Sequence, residues 1–381
     1  MVLPFLVLYL TRSQGMSAGR AGLVLGIYGT TALVASPLFG KLSDQWGPLR
    51  VMTASLFVSG TVLFLFPLAH GWTAISVATV ALAASAEAFR PSVLTVISQQ
   101  ASAGQRRSAF ALVRLAINLG MSIGPAIGGF LAVWKFDALF WVDGATSLAA
   151  GFVLVAVKPH RGESKVEIPV STPEKGDATV LPDRSPGSTL PGYRDRRLLV
   201  FLGAVLLTTI VFFQHEGAMP LFLVRDLHFK ESTYGLLFTI NTMMIVFMEV
   251  PLNLAMSKVS HQKTLAWGSI LCGAGFGALA VATGFWGVAG TVVIWTFGEM
   301  VLFPSMSSYV ADISPDDRRG EYMGLYTMAF ALAFAIGPWA GTVVYERLGA
   351  TTLWIGSFVL SLAAASVFLR RSVRPGAATG R

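Results

Sequence analysis

Long apolar runs separated by short polar stretches fill most of the chain, and their lengths predict helices that cross a bilayer. A run must cover about 30 Å of hydrocarbon at about 1.5 Å per helical residue to do so. Runs of that kind extend over 22–39, 51–69, 73–98, 110–133 and 140–157, and then over 198–224, 234–256, 265–283, 288–310, 322–344 and 352–369. A shorter stretch, 2–10, comes first. A lipid-spanning barrel would instead show alternating segments of about ten residues, so the fold class predicted is all-α.

The pattern is written twice. Pro91, Ser92, Arg106, Leu112, Gly124, Pro125 and Gly128 recur as Pro304, Ser305, Arg319, Leu325, Gly337, Pro338 and Gly341, each 213 positions further on. Gly22 matches Gly235, Pro37 matches Pro251 and Pro4 matches Pro220 at nearly the same offset. Tandem duplication of a multi-span unit marks a secondary transporter, whose halves rock about a site near the bilayer midplane. Pro220 falls some twenty residues into its span whereas Pro4 stands almost at the chain start. The expectation is therefore that Met1 falls inside the first helix, which lacks about twenty residues of a full span. A half-helix lying at the interface is the alternative.

Composition agrees with the spans: 54% of residues are hydrophobic, 13% are charged and the mean hydropathy is +0.65. Soluble domains carry about 25% charged residues. Lys41, Arg50, Arg106, Arg107, Arg194, Arg196, Arg197, Lys258, Lys263, Arg318, Arg319, Arg370 and Arg371 collect on one set of loops, which the positive-inside rule assigns to the cytoplasm. That places both termini of the complete protein in the cytoplasm. The +8 net charge follows from this bias, so no nucleic-acid partner is implied. Three domains are expected: a helical bundle at 1–157, a linker at 158–197 and a second bundle with a short tail at 198–381. The linker's many prolines and charges read as disordered. A single cysteine, Cys272, sits in an apolar run and offers no disulfide or metal cluster.

The loop after the second span reads Gly40-Lys41-Leu42-Ser43-Asp44-Gln45-Trp46-Gly47-Pro48-Leu49-Arg50. It resembles the GxLaDrxGrr signature of the major facilitator superfamily, with Gly40, Leu42, Asp44 and Gly47 in place and Arg50 the nearby basic residue. The alternative for Asp44 is a cap on the next helix. Gly120, Gly124, Pro125, Gly128 and Gly129 form an element similar to the gxxxGPxxGG of the drug/proton antiporters of that superfamily. Glycines four apart let another helix pack closely, and the proline bends the helix. The resemblance covers nearly the whole chain. It implies a twelve-helix-type fold of two six-helix pseudo-repeats in which spans one, four, seven and ten line a central cavity.

Ionisable residues inside spans are the candidates for chemistry, because each is costly there unless paired or hydrated. They are Glu87, Arg90, Arg114, Asp143, His215, Glu216, Glu249 and Glu299. Glu87 and Glu299 fall near mid-bilayer in spans four and ten, which the resemblance places on the cavity. A carboxyl withdrawn from water holds its proton more tightly and can load and release one near neutral pH. Arg90 lies one helical turn from Glu87 and either neutralises it or leaves it available. Glu299 has no such neighbour in sequence and is expected to carry the proton. Glu216, beside His215, is either a proton-uptake group or a solvated rim residue. Arg114 and Asp143 are expected to brace helices, and Glu249 to serve packing.

These features point to a multi-pass transporter of the bacterial inner membrane that exports hydrophobic or amphiphilic small molecules in exchange for protons. It would act as a monomer, with the proton gradient as energy source and without a cofactor. A symporter importing a nutrient, and a membrane receptor or assembly partner that transports nothing, are the alternatives. Nothing resembles an ATP-binding loop, and no enzymatic constellation appears.

Overall fold

The computed structural model describes residues 1–100, 106–156, 192–256, 259–315 and 318–370. The described residues form helices and no strands. In hydrocarbon every backbone N–H and C=O must be paired within its own segment, which a helix achieves. After a short three-ten turn, the first half comprises α1 (Leu6–Arg12), α2 (Ala18–Trp46), α3 (Pro48–Leu65), α4 (Gly71–Gln100), α5 (Arg106–Trp134) and α6 (Phe136–Ala156). The second comprises α7 (Arg196–Phe212), α8 (Ala218–Leu221), α9 (Glu231–Ala255), α10 (His261–Ala278), α11 (Gly284–Ile313), α12 (Arg319–Leu348) and α13 (Ala350–Arg370). Nine helical segments among the described residues are long and apolar enough to cross a membrane.

The two halves meet along α2 with α12 and along α5 with α9. On α2, Gly26 faces the carbonyl oxygen of Ala335, at 2.8 Å from where a β-carbon would stand, and Gly29 faces the Ala335 backbone at 2.9 Å. On α5, Gly129 faces the Glu231 carbonyl at 2.9 Å and Gly128 faces Phe5 and Leu139 at 3.0 Å. Among the described residues, Gly124 has only Met1 near it and Gly120 has nothing within 4 Å. The second copy of the Gly-Pro element, the weaker one by sequence, is tightly used: Gln214 lies against Gly341 and donates to the Gly337 carbonyl at 2.8 Å.

The leading stretch is part of the core. Phe5, Leu6, Val7 and Leu10 are fully buried, Tyr9 packs on Phe66 and Phe140, and Phe5 meets Tyr234 of the other half edge-on. Gly47, at φ +88°, ends α2 and also stands at the N-cap of α3, with Pro48 as its first residue. That backbone is open to glycine and strained for other residues. Asp44 therefore belongs to the last turn of α2 and is not the cap of α3; its side chain lies outside the described residues, as do those of Arg106 and Arg114.

The seventh span corrects the expectation of one continuous helix over 198–224. α7 stops at Phe212, a three-ten turn covers Phe213–His215, Gly217 leaves helical geometry (φ −104°, ψ −82°), and α8 is followed by a π-type turn at Phe222–Asp226. Pro220 has no N–H for the Glu216 carbonyl and its ring would clash with it, which is why the helix breaks one turn before the proline. Most of the expected linker lies outside the described residues. Its last part is ordered: Gly192 N donates to Glu321 at 2.8 Å, and Tyr322 donates to Asp195, which caps α7.

Candidate functional site: a cavity between the halves

A cavity of about 970 Å³ lies between the two halves. Its walls are the second half of α2 (Tyr28 to Pro37), α4 at Glu87 and Arg90, the break of span seven, α9 from Phe238 to Glu249, α11 at Glu299 and Phe303, and the first half of α12 (Gly324 to Phe334). The opposite ends of α2 and α12 are the ones closed by glycine packing. Two polar contacts cross the halves at that closed end. Arg12 pairs with Glu231, and the Glu346 carboxylate accepts from Gly19 N at 2.8 Å and Ala18 N at 3.3 Å. The cavity thus reaches toward the end that carries Lys41 and Arg50. Arg90, whose side chain is 79% exposed, marks its open side.

Glu87, Arg90, Glu216 and Glu299 all line this one cavity. Arg90 Nε stands 3.8 Å from Glu87 Oε1, an ion pair longer than a hydrogen bond. Glu299 is held by Asn241, whose Nδ2 donates to Glu299 Oε2 at 2.8 Å and to Thr296 Oγ1 at 3.0 Å. Glu216 is buried, with Oε1 3.6 Å from His215 Nε2 and, among the described residues, no hydrogen-bond partner for Oε2. Glu249, expected to pack, is on the cavity wall as well. Asp143 is not; it accepts from Val2 N at 3.1 Å as a brace between α6 and the leading stretch. Gly40, Leu42, Gly47, Arg50, Gly120, Gly124, Pro125, Gly128 and Gly129 are not among the residues that line the cavity.

The cavity lining carries a signature that the apolar runs concealed. Phe212, Phe213, Phe238, Phe303, Phe330, Phe334 and Tyr28 supply aromatic faces, and Asn241 and Thr242 add polar ones. On α12, Thr327, Phe330, Ala331 and Phe334 recur at helical spacing, which a periodicity search of that span would have grouped on one face. Trp295 and Tyr309 are not among the lining residues: Trp295 packs on Phe276 and His215, and Tyr309 on Phe201. Among the described residues, four carboxylates therefore share an aromatic-walled space with one arginine and one histidine, and oxygen acceptors outnumber fixed positive charges there. Such a space can hold an apolar body and balance a positive charge on it.

The family model of the Major Facilitator Superfamily matches residues 1–222 and 200–380. A Na(+), Li(+), K(+)/H(+) antiporter of Planococcus maritimus is 22% identical over 94% of this chain and 89% of its own length. The quinolone resistance protein NorA of Staphylococcus aureus is 22% identical over 91% of this chain and 86% of its own. Among solved structures, the nucleoside transporter NupG superposes with a TM-score of 0.79 at 14% identity, over 97% of this chain and 94% of that one, a likeness of fold. The two matched halves, the helical spans and the cavity between them place the chain in the Major Facilitator Superfamily, as a multi-pass membrane transporter and not an enzyme.

Proposed function

We propose that this transporter exports hydrophobic or amphiphilic small molecules, cationic ones above all, across the bacterial inner membrane in exchange for protons. The observation that carries this reading is the charge balance among the described cavity residues: Glu87, Glu216, Glu249 and Glu299 against Arg90, on walls rich in phenylalanine. A lipophilic cation gains there from aromatic faces and from a carboxylate freed of its proton, so cation and proton compete for the same charge. The names of two relatives, a quinolone resistance protein and a cation/proton antiporter, agree with it. The excess of lysine and arginine at the end toward which the cavity reaches makes that end cytoplasmic. The captured arrangement is then the one that loads substrate from inside. The transporter works as a monomer and takes its energy from the proton gradient without a cofactor.

The test uses purified protein and tetraphenylphosphonium as probe. Binding is expected to release protons into weakly buffered solution, and proteoliposomes with an imposed proton gradient should move the probe uphill. Sodium or potassium driving the same proton release, with no response to the organic cation, would replace the substrate class by inorganic cations. Uptake of an uncharged nutrient together with protons, and no exchange, would replace export by symport.

A further inference from the structure

The break in span seven sets His215 against Glu216 in a geometry that fixes where the protons of the ring can be. His215 Nδ1 lies 2.7 Å from the carbonyl oxygen of Phe212. A carbonyl can only accept, so Nδ1 carries the hydrogen, and in the neutral ring Nε2 presents its lone pair. That lone pair faces Glu216 Oε1 at 3.6 Å. A carboxylate oxygen and a bare ring nitrogen repel one another when both are withdrawn from water, and both side chains are buried. One proton between them removes the conflict, on Oε1 pointing at Nε2 or on Nε2 pointing at Oε1. In both forms the pair as a whole is uncharged.

Aromatic neighbours hold the ring, and among the described residues none of them competes for Nε2. Phe212 and Phe213 from the same segment, Phe238 of α9 and Trp295 of α11 enclose the imidazole, with Trp295 stacked at 5.9 Å and 22°. The titratable groups near the pair are Tyr234 of α9, which spends its hydroxyl on the His215 carbonyl at 2.8 Å, Tyr28 of α2 and the amino group of Met1. Among the described residues Glu216 Oε2 has no hydrogen-bond partner, and this oxygen is buried although Glu216 belongs to the cavity wall.

We propose that His215 is a positioning residue for proton exchange: its Nε2, 3.6 Å from Glu216 Oε1 and so beyond a hydrogen bond in this arrangement, closes on the carboxyl and accepts from it when Glu216 is protonated, so that the pair stores one proton at the cavity wall. When a cation arrives, the O–H bond of Glu216 breaks, the proton departs to water in the cavity, and the carboxylate takes the cation as its counter-charge. Loading reverses the step. The proposal rests on the proton-exchange reading above and adds a named partner to it.

The test needs no transported ligand. The infrared band of a protonated carboxylic acid that disappears in Glu216→Gln reports the Glu216 proton, and its pH titration is followed in three proteins. His215→Asn keeps a donor for the Phe212 carbonyl and removes the Nε2 acceptor. Losing one hydrogen bond to the protonated form should move the midpoint to lower pH by about one unit, a tenfold change in proton concentration. His215→Gln places an acceptor near the lost Nε2 and should restore most of it. An unchanged midpoint in His215→Asn overturns the proposal. Should that variant fail to fold, nitrogen NMR of wild-type protein with labelled histidines decides. A buried neutral ring protonated on Nδ1 is expected among the five histidines, and its absence overturns the assignment. A wild type that titrates in this way yet releases no protons when tetraphenylphosphonium is added would defeat the exchange reading and leave the pair intact.

Discussion

Gly235 on α9 lies against the carbonyl oxygen of Pro125 on α5, so close that a β-carbon could not be accommodated without a shift of backbone. Its repeat partner makes the reciprocal contact: Gly22 on α2 lies against the carbonyl of Pro338 on α12, at 2.9 Å. The duplication read from sequence is therefore the geometry of the closed end. Each half offers one glycine and one Gly-Pro segment and receives the same from the other.

Gly22→Leu and Gly235→Leu should each disfavour this closed end. Inserting side-chain volume into packed contact costs about 1–3 kcal/mol, which shifts a two-state equilibrium on the order of tenfold or more. Ala18, fully buried at the start of α2, serves as a reporter when changed to cysteine. Labelling by a membrane-impermeant thiol reagent from the far side should rise in both variants. Unaltered labelling with normal expression would show that this packing does not set the equilibrium.

Glu346 and Arg12 hold the same end by charge. The Glu346 carboxylate sits at the N-terminus of α2, where it satisfies two backbone donors and meets the positive end of the helix dipole, worth about 0.3–2 kcal/mol. Arg12 with Glu231 links α1 to α9 independently. Glu346→Ala and Arg12→Ala should each raise far-side labelling severalfold, and the double variant should combine the two effects nearly additively. A double variant that labels like the parent would rule out a latch here.

Asp44 should matter for rate more than for binding. It lies in the last turn of α2, where a carboxylate is unfavourable against its own helix end, and it is not the cap of α3. Asp44→Asn is expected to slow transport severalfold while leaving probe affinity and membrane yield nearly unchanged. A loss confined to yield would instead point to a role in folding alone.

What the sequence could express and what it could not follows from the solvent. Lipid forces each span to be apolar and continuous, so the runs and their 213-residue repeat were visible, and the ionisable residues stood out against them. The break at Gly217 was hidden because Ala218, Met219 and Leu221 continue the apolar run across it; Pro220 was the available signal. Phe212, Phe303 and Phe334 were unreadable as cavity residues because a phenylalanine facing lipid, a neighbouring helix or a ligand has the same hydropathy. Glu249 was assigned to packing from the place of its span in the family, and only the turn of α9 brings it to the wall.

Glu299 carries the last prediction. An amide N–H only donates, so the 2.8 Å bond from Asn241 holds one oxygen of Glu299 in place on α11 while the residue faces the cavity. Glu87 has Arg90 at 3.8 Å to balance it, whereas among the described residues no basic side chain is paired with Glu299. Glu299 thus depends on a proton or a cationic ligand for neutrality more than Glu87 does. Glu299→Gln keeps the shape and the Asn241 neighbour but cannot exchange a proton. It should abolish uphill movement of tetraphenylphosphonium in proteoliposomes. Measurable binding should remain, with most of its pH dependence near neutrality gone. Proton-driven accumulation with an unchanged pH profile in that variant would leave the exchange to Glu216, alone or with Glu87, and the corresponding glutamine variants would then be separated by the same two measurements.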